Sequence, residues 1–557
     1  MLLSGADIVV RTLIEQGADT VFGYPGGQII NVYDSLYKYQ SEIRHILTAH
    51  EQGATHAADG YARSTGKVGV VISTSGPGAT NLVTGIATAY LDSIPLVAIC
   101  GNVPTTQIGT DSFQELDITG VTLPITKHNY FVGNVKDLAD TIREAFRLAK
   151  SGRPGPVLID VPKDVQIATC EYTEAPVVEA DTPTPAKMLR IEEAAEIINA
   201  AERPLVYFGG GLVNAGAQKE LLELAEKIDA PLSCSMMGLS CIPTDHPRFL
   251  GMQGMHGHFA SSMAMHTADT VIALGVRFND RVTGNRDKFA KGIKVVHIDV
   301  DGSELNKTVN EAVGLRGDIR QTLLALLPLL KESRKPEWQK KVASLRAEED
   351  SYLDRREGLT PRNAILTVNR YLGKNTAVAT DVGQHQMWSA QNLCFRTPRR
   401  FISSGGLGTM GFGLGAAIGA AFGTGERSVL ITGDGGFGMC LTELATAVTY
   451  NVPVVVLVMN NTVLGMVHQW QDLFFGKRFS HTELNRKTDF AALAKAFGAD
   501  GRKVATLEEL NDALAQGFRT DGPFVIDCAI GKNELVLPML PPNGSMDDII
   551  VALEGQE

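Results

Sequence analysis

The sequence predicts an α/β protein made of three doubly wound, parallel-sheet domains. Short β-branched segments alternate with helical stretches, and this alternation recurs in three blocks of similar size. Strands buried on both faces form such near-continuous apolar runs, and helices then cover the sheet. The first helix is predicted to begin after Ser4, with Asp7 in its first turn, and to run to Gly17. The predicted strands are 68–74, 94–100 and 156–162, then 204–210, 270–276 and 294–300, then 376–383, 428–435, 452–461 and 523–529.

Changes of composition predict the domain boundaries. A segment rich in Pro, Thr and acidic residues (170–187) is typical of a linker, and a highly charged segment (331–361) predicts an exposed connecting helix. We therefore expect domains over 1–170, 188–330 and 362–535, followed by a tail over 536–557.

Composition excludes several classes of protein. The chain has 557 residues, 44% of them hydrophobic and 20% charged, so neither disorder nor a fibrous repeat is expected. The formal charge of −11, without a basic block, argues against nucleic-acid binding. Seven scattered cysteines without a CxxC pair indicate a reducing compartment, and we expect a cytoplasmic protein. The uncharged stretch 401–425 contains nine glycines, which predicts a turn and a helix rather than a membrane span.

The most specific local motif is Gly433-Asp434-Gly435, followed after 24 residues by Asn460-Asn461. A helix (about 441–450) and a strand (453–459) are predicted between them, so both ends of the motif should lie at the carboxyl edge of neighbouring parallel strands. Asp434 and Asn461 can then bind one hard cation. Two side chains leave room for water and phosphate oxygens, which is the coordination habit of Mg²⁺ on a diphosphate. The alternative is a plain turn at a strand end.

This motif resembles the cofactor signature of thiamine-diphosphate enzymes. The resemblance implies that Mg²⁺ is bound by Asp434, Asn461 and the Val463 carbonyl. It also implies thiamine-diphosphate contacts, with Met410 supporting the bent cofactor; the expected contact residues are Glu51, Gly383, Gln384, His385, Gly408, Met410, Gly433, Gly435 and Met466.

Thiamine diphosphate requires a carboxylic acid that tautomerises its aminopyrimidine. Glu51 is the candidate, because its surroundings (HEQGA…GYAR) resemble the segment with the family's catalytic glutamate. The alternative is a glutamate that only favours a helix N-terminus. Glu51 and Asp434 belong to different blocks, and the family's arrangement implies a site between two subunits, hence at least a homodimer.

The whole chain resembles the acetohydroxyacid synthase (acetolactate synthase) large-subunit family most closely. The stretches that carry this are FGYPGG (22–27), SGPGATN (75–81), FQE (113–115), TKHN (126–129), GMHG (254–257), RVTG (281–284), GGLGTMG (405–411) and GMVHQWQ (465–471). The implied reaction decarboxylates pyruvate and joins the two-carbon unit to a second 2-oxo acid. The implied catalytic and acceptor-site residues are Gly27, Glu51, Phe113, Gln114, Lys127, Arg281, Met466, Val467 and Trp470, with Arg281 as the carboxylate partner.

The resemblance also implies FAD in the central domain, between a pyrimidine-binding first domain and a diphosphate-binding third. The full GxGxxG fingerprint is absent. The implied FAD contacts are Arg153, Gly209, Gly210, Gly211, Met255, His256, Gly275, Arg277, Asp299 and Asp318. A homodimer or homotetramer and a separate small regulatory subunit are further implications. Three residues depart from the family pattern: Asn279, Gly415 and His468.

The sequence thus predicts an acetolactate-forming carboligase of branched-chain amino acid biosynthesis. One alternative is a related thiamine–flavin oxidase or decarboxylase that acts on pyruvate. A flavoprotein that has kept the fold without catalysis is another.

Overall fold

The first sheet of the computed structural model, which describes residues 1–289 and 291–552, is parallel and has helices on both faces. The six strands of this sheet are β2 Thr20–Gly23, β3 Arg44–Leu47, β4 Gly69–Ser73, β5 Leu96–Asn102, β6 His128–Phe131 and β7 Pro156–Pro162. Two further strands, β1 Leu2–Ser4 and β8 Thr169–Glu171, form a separate two-stranded sheet. The helices are α1 Gly5–Glu15, α2 Ile30–Lys38, α3 Glu51–Thr65, α4 Pro77–Thr80, α5 Val83–Asp92, α6 Ile118–Thr122, α7 Leu138–Lys150 and α8 Lys163–Ile167. The strand order is β3-β2-β4-β5-β7-β6, and β1 pairs antiparallel with β8.

The second sheet lies in the middle of the sequence and is also parallel. Its strands are β9 Pro204–Phe208, β10 Leu232–Cys234, β11 Phe249–Met252, β12 Thr270–Leu274, β13 Lys294–Asp299 and β14 Val313–Arg316, in the order β11-β10-β9-β12-β13-β14. The helices of this region are α9 Met188–Asn199, α10 Gly210–Ala215, α11 Gln218–Lys227, α12 Phe259–Thr267, α13 Asp280–Thr283, α14 Ile319–Leu326 and α15 Pro336–Tyr352.

The third sheet has the order β16-β15-β17-β18-β20-β19. Its strands are β15 Ala377–Thr380, β16 Phe401–Ile402, β17 Ser428–Gly433, β18 Val454–Asn460, β19 Asp500–Val504 and β20 Phe524–Ala529. The helices of this region are α16 Pro361–Asn369, α17 Gln384–Asn392, α18 Gly413–Thr424, α19 Asp434–Cys440, α20 Leu444–Thr449, α21 Gly465–Phe474, α22 Phe490–Phe497 and α23 Leu507–Gly517. The predicted α/β class with three parallel sheets is thereby confirmed.

Two local predictions need correction. The helix expected at about 441–450 is the shorter α20, which a 3₁₀ turn (Leu441–Glu443) precedes, and a further helix that was not predicted, α19, begins directly at Asp434. The charged segment 331–361 does form a helix, α15, but that helix is not simply exposed. Its Trp338 is buried and donates a hydrogen bond from Nε1 to the Pro204 carbonyl at 2.9 Å.

The chain folds into two compact units. The first unit contains Met1–Asp181, Asn375–His385 and Ile402–Lys532, so it joins the first and third sheets. The second contains Thr182–Lys374, Gln386–Phe401 and the chain from Asn533 onward, around the middle sheet. Among the described residues, no helix combines the length and the apolarity needed to cross a membrane.

Two helices of small residues join the halves of the first unit. A Cβ atom on Gly60 of α3 would lie 2.1 Å from the Ala416 carbonyl oxygen of α18. Gly415 of α18 is also confined, although less tightly, since its Cβ would lie 2.8 Å from the Gly53 carbonyl oxygen of α3. The glycine at 415 is therefore explained by close helix packing. This contact places the start of α3, where Glu51 lies, beside the third sheet.

Candidate active site

Asp434 and Asn461 lie at the carboxyl ends of neighbouring strands. Strands β17 and β18 pair in parallel, with Gly433 opposite Met459. Asp434 is the first residue after β17, and Asn461 is the first residue after β18. Both side chains are buried. Burial raises the pKa of Asp434 to about 6 against the opposing hydrogen bonds of nearby backbone N–H groups, so a cation would relieve the cost of burying the charge.

Gln384 holds the amide of Asn461. The Gln384 Oε1 accepts a hydrogen bond from Asn461 Nδ2 at 3.3 Å, while Gln384 Nε2 donates to Gln469 Oε1 at 2.9 Å. A Cβ on Gly465 would lie 2.1 Å from the same Gln384 oxygen, so a side chain there would displace the Gln384 amide from Asn461. The donor set of carboxylate, amide and backbone oxygens suits Mg²⁺. Within the described residues, no cluster of three or more His, Cys, Asp or Glu could hold a metal.

His385 has an unpartnered nitrogen beside the glycine turn. Its Nε2 is buried and makes no hydrogen bond with any described residue. The ring Nδ1 lies 3.0 Å from where a Cβ on Gly433 would stand, and a Cβ on Gly383 would be 2.9 Å from the ring. Burial lowers the pKa of His385 to about 4, so the ring is neutral. A neutral N–H donor next to bare backbone fits a diphosphate oxygen.

Asp381 fixes the loop that carries Met410. This fully buried carboxylate accepts hydrogen bonds from the backbone N–H groups of Gly411 at 3.0 Å and Gly413 at 3.1 Å. It also accepts one from Val382, at 2.7 Å, directly before Gly383. Burial raises the pKa of Asp381, although these donors oppose the shift. One side chain therefore ties the Met410 loop to the segment 383–385.

Met410 lies over the glycine turn. Its Cε is 3.6 Å from where a Cβ on Gly435 would stand, and Leu464 approaches the same point to 2.8 Å. Gly408 has a φ of +69° and faces open space, since its Cβ would be 4.0 Å from the nearest atom. The structure thus brings together four of the predicted cofactor segments, at 383–385, 408–410, 433–435 and 461–466.

Two helices that pack on the first sheet, α3 and α5, also hold the loop that carries Met410. Asp92 accepts hydrogen bonds from the backbone N–H groups of Gly405 at 3.0 Å and Gly406 at 2.7 Å. Arg63, itself paired with Asp59 and Asp92, donates to the Ser403 carbonyl at 2.8 Å. These charged groups are buried, so removing one member would leave another charge uncompensated.

Glu51 is the first residue of α3 and is buried to 9% exposure. Its Oε2 accepts a hydrogen bond from Asn81 Nδ2 at 2.9 Å. Two backbone N–H groups before it, those of Ala49 and His50, donate to the Glu443 carboxylate at 3.2 and 3.0 Å. The predicted acid thus lies on a turn that both sheets of the first unit support.

The other residues of the first unit that were predicted for the catalytic and acceptor site range from packed to exposed. Gly27 faces open space, and its carbonyl accepts a hydrogen bond from Lys163 Nζ at 3.1 Å. Gln114 has a φ of +63° and packs on Gly76. Trp470 packs edge-on against Phe474, with ring centroids 5.8 Å apart. The exposed apolar side chains Phe113 and Val467, and Met466 at the start of α21, complete this set.

Lys127 is bound to the end of a helix. Its ammonium donates hydrogen bonds to the carbonyls of Leu148 and Ser151, the latter at 2.6 Å, at the C-terminus of α7. Burial lowers the pKa of Lys127 to about 8. The side chain therefore caps α7 here, and its role in the acceptor site stays a prediction.

Three models of thiamine pyrophosphate enzyme domains match this chain. The model of the thiamine pyrophosphate enzyme N-terminal TPP binding domain matches residues 3–121. The models of the central domain and of the C-terminal TPP binding domain match residues 191–326 and 381–528.

Curated relatives match over nearly the full length. The acetolactate synthase isozyme 2 large subunit of Escherichia coli is 43% identical, with 99% of this chain and 100% of that protein covered. Isozyme 3 of the same organism is 42% identical, with 98% of both covered. A probable acetolactate synthase large subunit of Methanocaldococcus jannaschii is 43% identical, with 98% of this chain and 95% of that protein covered. The chain belongs to the acetolactate synthase large-subunit family.

The middle sheet of this family member has a glycine cradle at its carboxyl edge. A Cβ on Gly209 would lie 2.6 Å from the Gly275 carbonyl oxygen, and one on Gly211 would lie 2.7 Å from the Gly275 Cα. Gly275 has a φ of +54°, and a Cβ on Gly210 would lie 3.2 Å from Met237. The glycines therefore let the turns after β9 and β12 pack backbone to backbone at the carboxyl edge of the sheet, which is where open α/β sheets bind dinucleotides.

Polar groups of the second unit lie at the same edge of the middle sheet. His256 is buried, and its Nδ1 has no hydrogen-bond partner among the described residues. Asp299 ends β13 and accepts a hydrogen bond from the Asp301 backbone N–H at 2.8 Å. Asp318 caps α14 by accepting from the Gln321 N–H at 2.9 Å. Of the other predicted FAD contacts, Arg277 lies just after Gly275, and Arg153, in the first unit, donates to Ser93 Oγ at 2.8 Å.

Arg281, the predicted partner of the acceptor's carboxylate, lies on the short helix α13 in the second unit. Its side chain is exposed, and Nη1 lies 3.6 Å from the Met255 sulfur. Asn279, which departs from the family pattern, caps this helix by accepting a hydrogen bond from the Val282 N–H at 3.2 Å. The substitution therefore keeps the cap that positions Arg281. His468, another departure, stacks on Phe479 with centroids 4.1 Å apart.

Sequence reasoning missed four residues that hold this site: Asn81, Asp92, Asp381 and Glu443. Each makes its key hydrogen bonds to residues about 30 to 394 positions away in the chain, so no local spacing marks it. One signal was available for Asp381, because an acidic residue at the end of a buried strand needs partners.

Proposed function

We propose that this chain is the catalytic subunit of an acetolactate synthase. It decarboxylates pyruvate and transfers the two-carbon unit to a second 2-oxo acid, pyruvate or 2-oxobutyrate, in valine, leucine and isoleucine biosynthesis. The full-length match to acetolactate synthase large subunits carries the proposal. The grouping of the cofactor segments in the first unit supports it.

Asp434, Asn461 and the Val463 carbonyl would hold Mg²⁺, and His385 Nε2 and the bare backbone at Gly383 and Gly433 would receive the diphosphate. Thiamine diphosphate supplies, when bound, a carbon nucleophile that adds to the ketone of a 2-oxo acid. Met410 and Leu464 provide the apolar support above the glycine turn.

Glu51 holds a proton at its carboxyl group for exchange with the cofactor's pyrimidine ring. Only 9% of this residue is exposed, which limits the access of bulk water to the carboxyl group. Following the family's arrangement, Glu51 of one protomer serves the cofactor of a second, so we propose at least a homodimer.

The acceptor's carboxylate needs a cationic partner, and Arg281 offers a planar pair of donors. Trp470 and the exposed side chains Phe113 and Val467 offer apolar surface that excludes water from the transferred fragment. Gly27 leaves space that a side chain would fill, while Gln114 and Lys127 stay candidates for polar contacts.

We further propose FAD at the glycine cradle of the middle sheet, where the buried Nδ1 of His256 and the Asp299 carboxylate supply polar contacts. A small regulatory subunit is proposed because the relatives are named large subunits. The cytoplasmic location stays a prediction from the cysteine pattern.

The products formed from pyruvate distinguish an acetolactate synthase from a thiamine–flavin oxidase or decarboxylase. The protein should be incubated with pyruvate, thiamine diphosphate, Mg²⁺ and FAD, while acetolactate, acetaldehyde and dissolved oxygen are measured. We expect acetolactate as the main product and no stoichiometric oxygen uptake. Acetaldehyde without acetolactate, or one oxygen consumed per pyruvate, would establish a decarboxylase or an oxidase instead.

A further inference from the structure

The two oxygens of the Glu51 carboxyl group have different surroundings. Oε2 accepts the hydrogen bond from Asn81 Nδ2 at 2.9 Å. Within the described part of the chain, Oε1 accepts no hydrogen bond, and it is not among the fully enclosed atoms. The carboxyl group is therefore held at one oxygen and open at the other.

Gly78 keeps the open oxygen accessible. A Cβ at this position would lie 3.3 Å from Glu51 Oε1 and 2.7 Å from the Thr74 methyl group. Any larger residue would crowd the oxygen or displace the turn. The short helix α4 thus contributes two features on one side of Glu51: bare backbone at Gly78 beside Oε1, and the amide of Asn81, one residue past its end, on Oε2.

An amide N–H that donates to one carboxyl oxygen reduces the proton affinity of that oxygen. When the carboxyl group carries a proton, the proton therefore lies on the other oxygen. We propose that Asn81 is a positioning residue that directs the exchangeable proton of Glu51 to Oε1. This proposal deepens the proposed function and rests on it, because it concerns how the same acid presents its proton to the cofactor ring.

No covalent bond changes at Asn81. Its Nδ2–H group remains a donor throughout, and Glu51 alone gains or loses the proton. Asn81 also fixes the rotation of the carboxyl plane, since a free carboxyl group would sample orientations in which neither oxygen faces the ring.

The test measures exchange of the cofactor's thiazolium C2 proton for deuterium in holoenzyme with bound thiamine diphosphate and Mg²⁺. Asn81→Leu removes the donor at similar size, and we expect the exchange rate to fall by about 10- to 100-fold. Cofactor affinity, measured by fluorescence titration, should change less than threefold. Thr80→Ala is the matched control, because the hydroxyl of this exposed neighbour donates to the Pro77 carbonyl, at 3.1 Å, and not to Glu51.

Asn81→Asp separates a positioning role from a merely structural one. Two carboxyl groups within hydrogen-bond distance share a proton, so the pH profile of exchange should move to higher pH by about one unit. A variant that only loosens the fold would lower the rate equally at every pH. Thermal unfolding of each holoenzyme shows whether the variants fold.

The two proposals fail in different ways. If Asn81→Leu exchanges at the rate of the unaltered protein, or if Asn81→Asp leaves the pH profile in place, Asn81 does not direct the proton, while a slow Glu51→Gln variant still supports the proposed function. Unaltered exchange in Glu51→Gln would overturn both, since the acid itself would then be dispensable.

Discussion

Gly419 packs directly on Ala57. A Cβ at position 419 would lie 1.8 Å from the Ala57 carbonyl oxygen, which is far inside van der Waals contact. The contact joins α18 to α3 and therefore positions the helix that begins at Glu51. Backbone atoms form the obstacle, so a flexible side chain cannot yield to relieve a clash.

We predict that Gly419→Ala destabilises the first unit by about 3 kcal/mol or more, because the two helices must separate to admit one methyl group. Guanidinium unfolding, followed by fluorescence, measures the loss. Gly133→Ala is the matched control, since a Cβ there would make an ordinary contact of 3.6 Å with Phe131. Equal stability of both variants would contradict the close packing.

Glu443→Gln tests the support beneath Glu51. The buried carboxylate accepts from the N–H groups of Ala49 and His50, and Thr446 Oγ1 donates to it at 2.7 Å. A glutamine amide would turn one of these contacts into a meeting of two donors, which costs about 1 to 3 kcal/mol. We expect a lower thermal midpoint together with slower pyruvate consumption. Thr446→Val, which removes one donor only, should have the smaller effect on turnover.

The sequence was sufficient for the central strands of each sheet, because the signal of a buried strand is local, but outer strands such as β6, β14 and β19 were not predicted. A strand such as 156–162 consists, apart from Asp160, of apolar and β-branched residues, and the structure has the same bounds. The motif ends at Asp434 and Asn461 were also placed correctly at neighbouring strands, since a strand, a crossover helix and a parallel strand admit few other arrangements.

The supports of the site could not be predicted in the same way. Glu443 meets Ala49 across 394 residues, and nothing in the spacing of either segment indicates that contact. The contact of Lys127 with the end of α7 is another that no local spacing indicates, and the substrate contact that the family resemblance implies for this residue stays a prediction. The helix predicted at about 441–450 is α20, whereas α19, which begins at Asp434 itself, was not predicted.

Asp160 should make stability depend on pH. Burial raises the pKa of this carboxyl group from 3.8 to about 7, against the opposing hydrogen bond from Asn102. The folded state therefore binds a proton more tightly than the unfolded state, and stability falls as the pH rises from about 4 to 7. We expect Asp160→Asn to gain stability relative to the unaltered protein across that range. Urea unfolding at several pH values measures it, and exposed Asp34→Asn should run parallel to the unaltered protein.

Glu15 should show the opposite dependence. Burial alone would raise its pKa, but hydrogen bonds from Arg143, the Ala175 N–H and Tyr172 outweigh it and lower the pKa from 4.5 to about 2. The stabilisation is present above pH 4.5 and is lost as the pH falls through 2. Glu15→Gln should thus be less stable at neutral pH and approach the unaltered protein in acid. A difference that is constant with pH would exclude this assignment.

Arg281→Ala should separate the two halves of the proposed reaction. Decarboxylation of the first pyruvate does not require a second carboxylate, whereas transfer to the acceptor does. A two-carbon unit that is not transferred can take up a proton and leave as acetaldehyde, so carbon dioxide release should fall less than acetolactate formation. We expect the ratio of acetolactate to carbon dioxide to drop by tenfold or more, because a bidentate charged contact is lost. Arg286→Ala, an exposed arginine five residues further on, is the control and should keep the ratio unchanged. Equal losses of both products in Arg281→Ala would mean that this side chain acts on the whole site and does not select the acceptor.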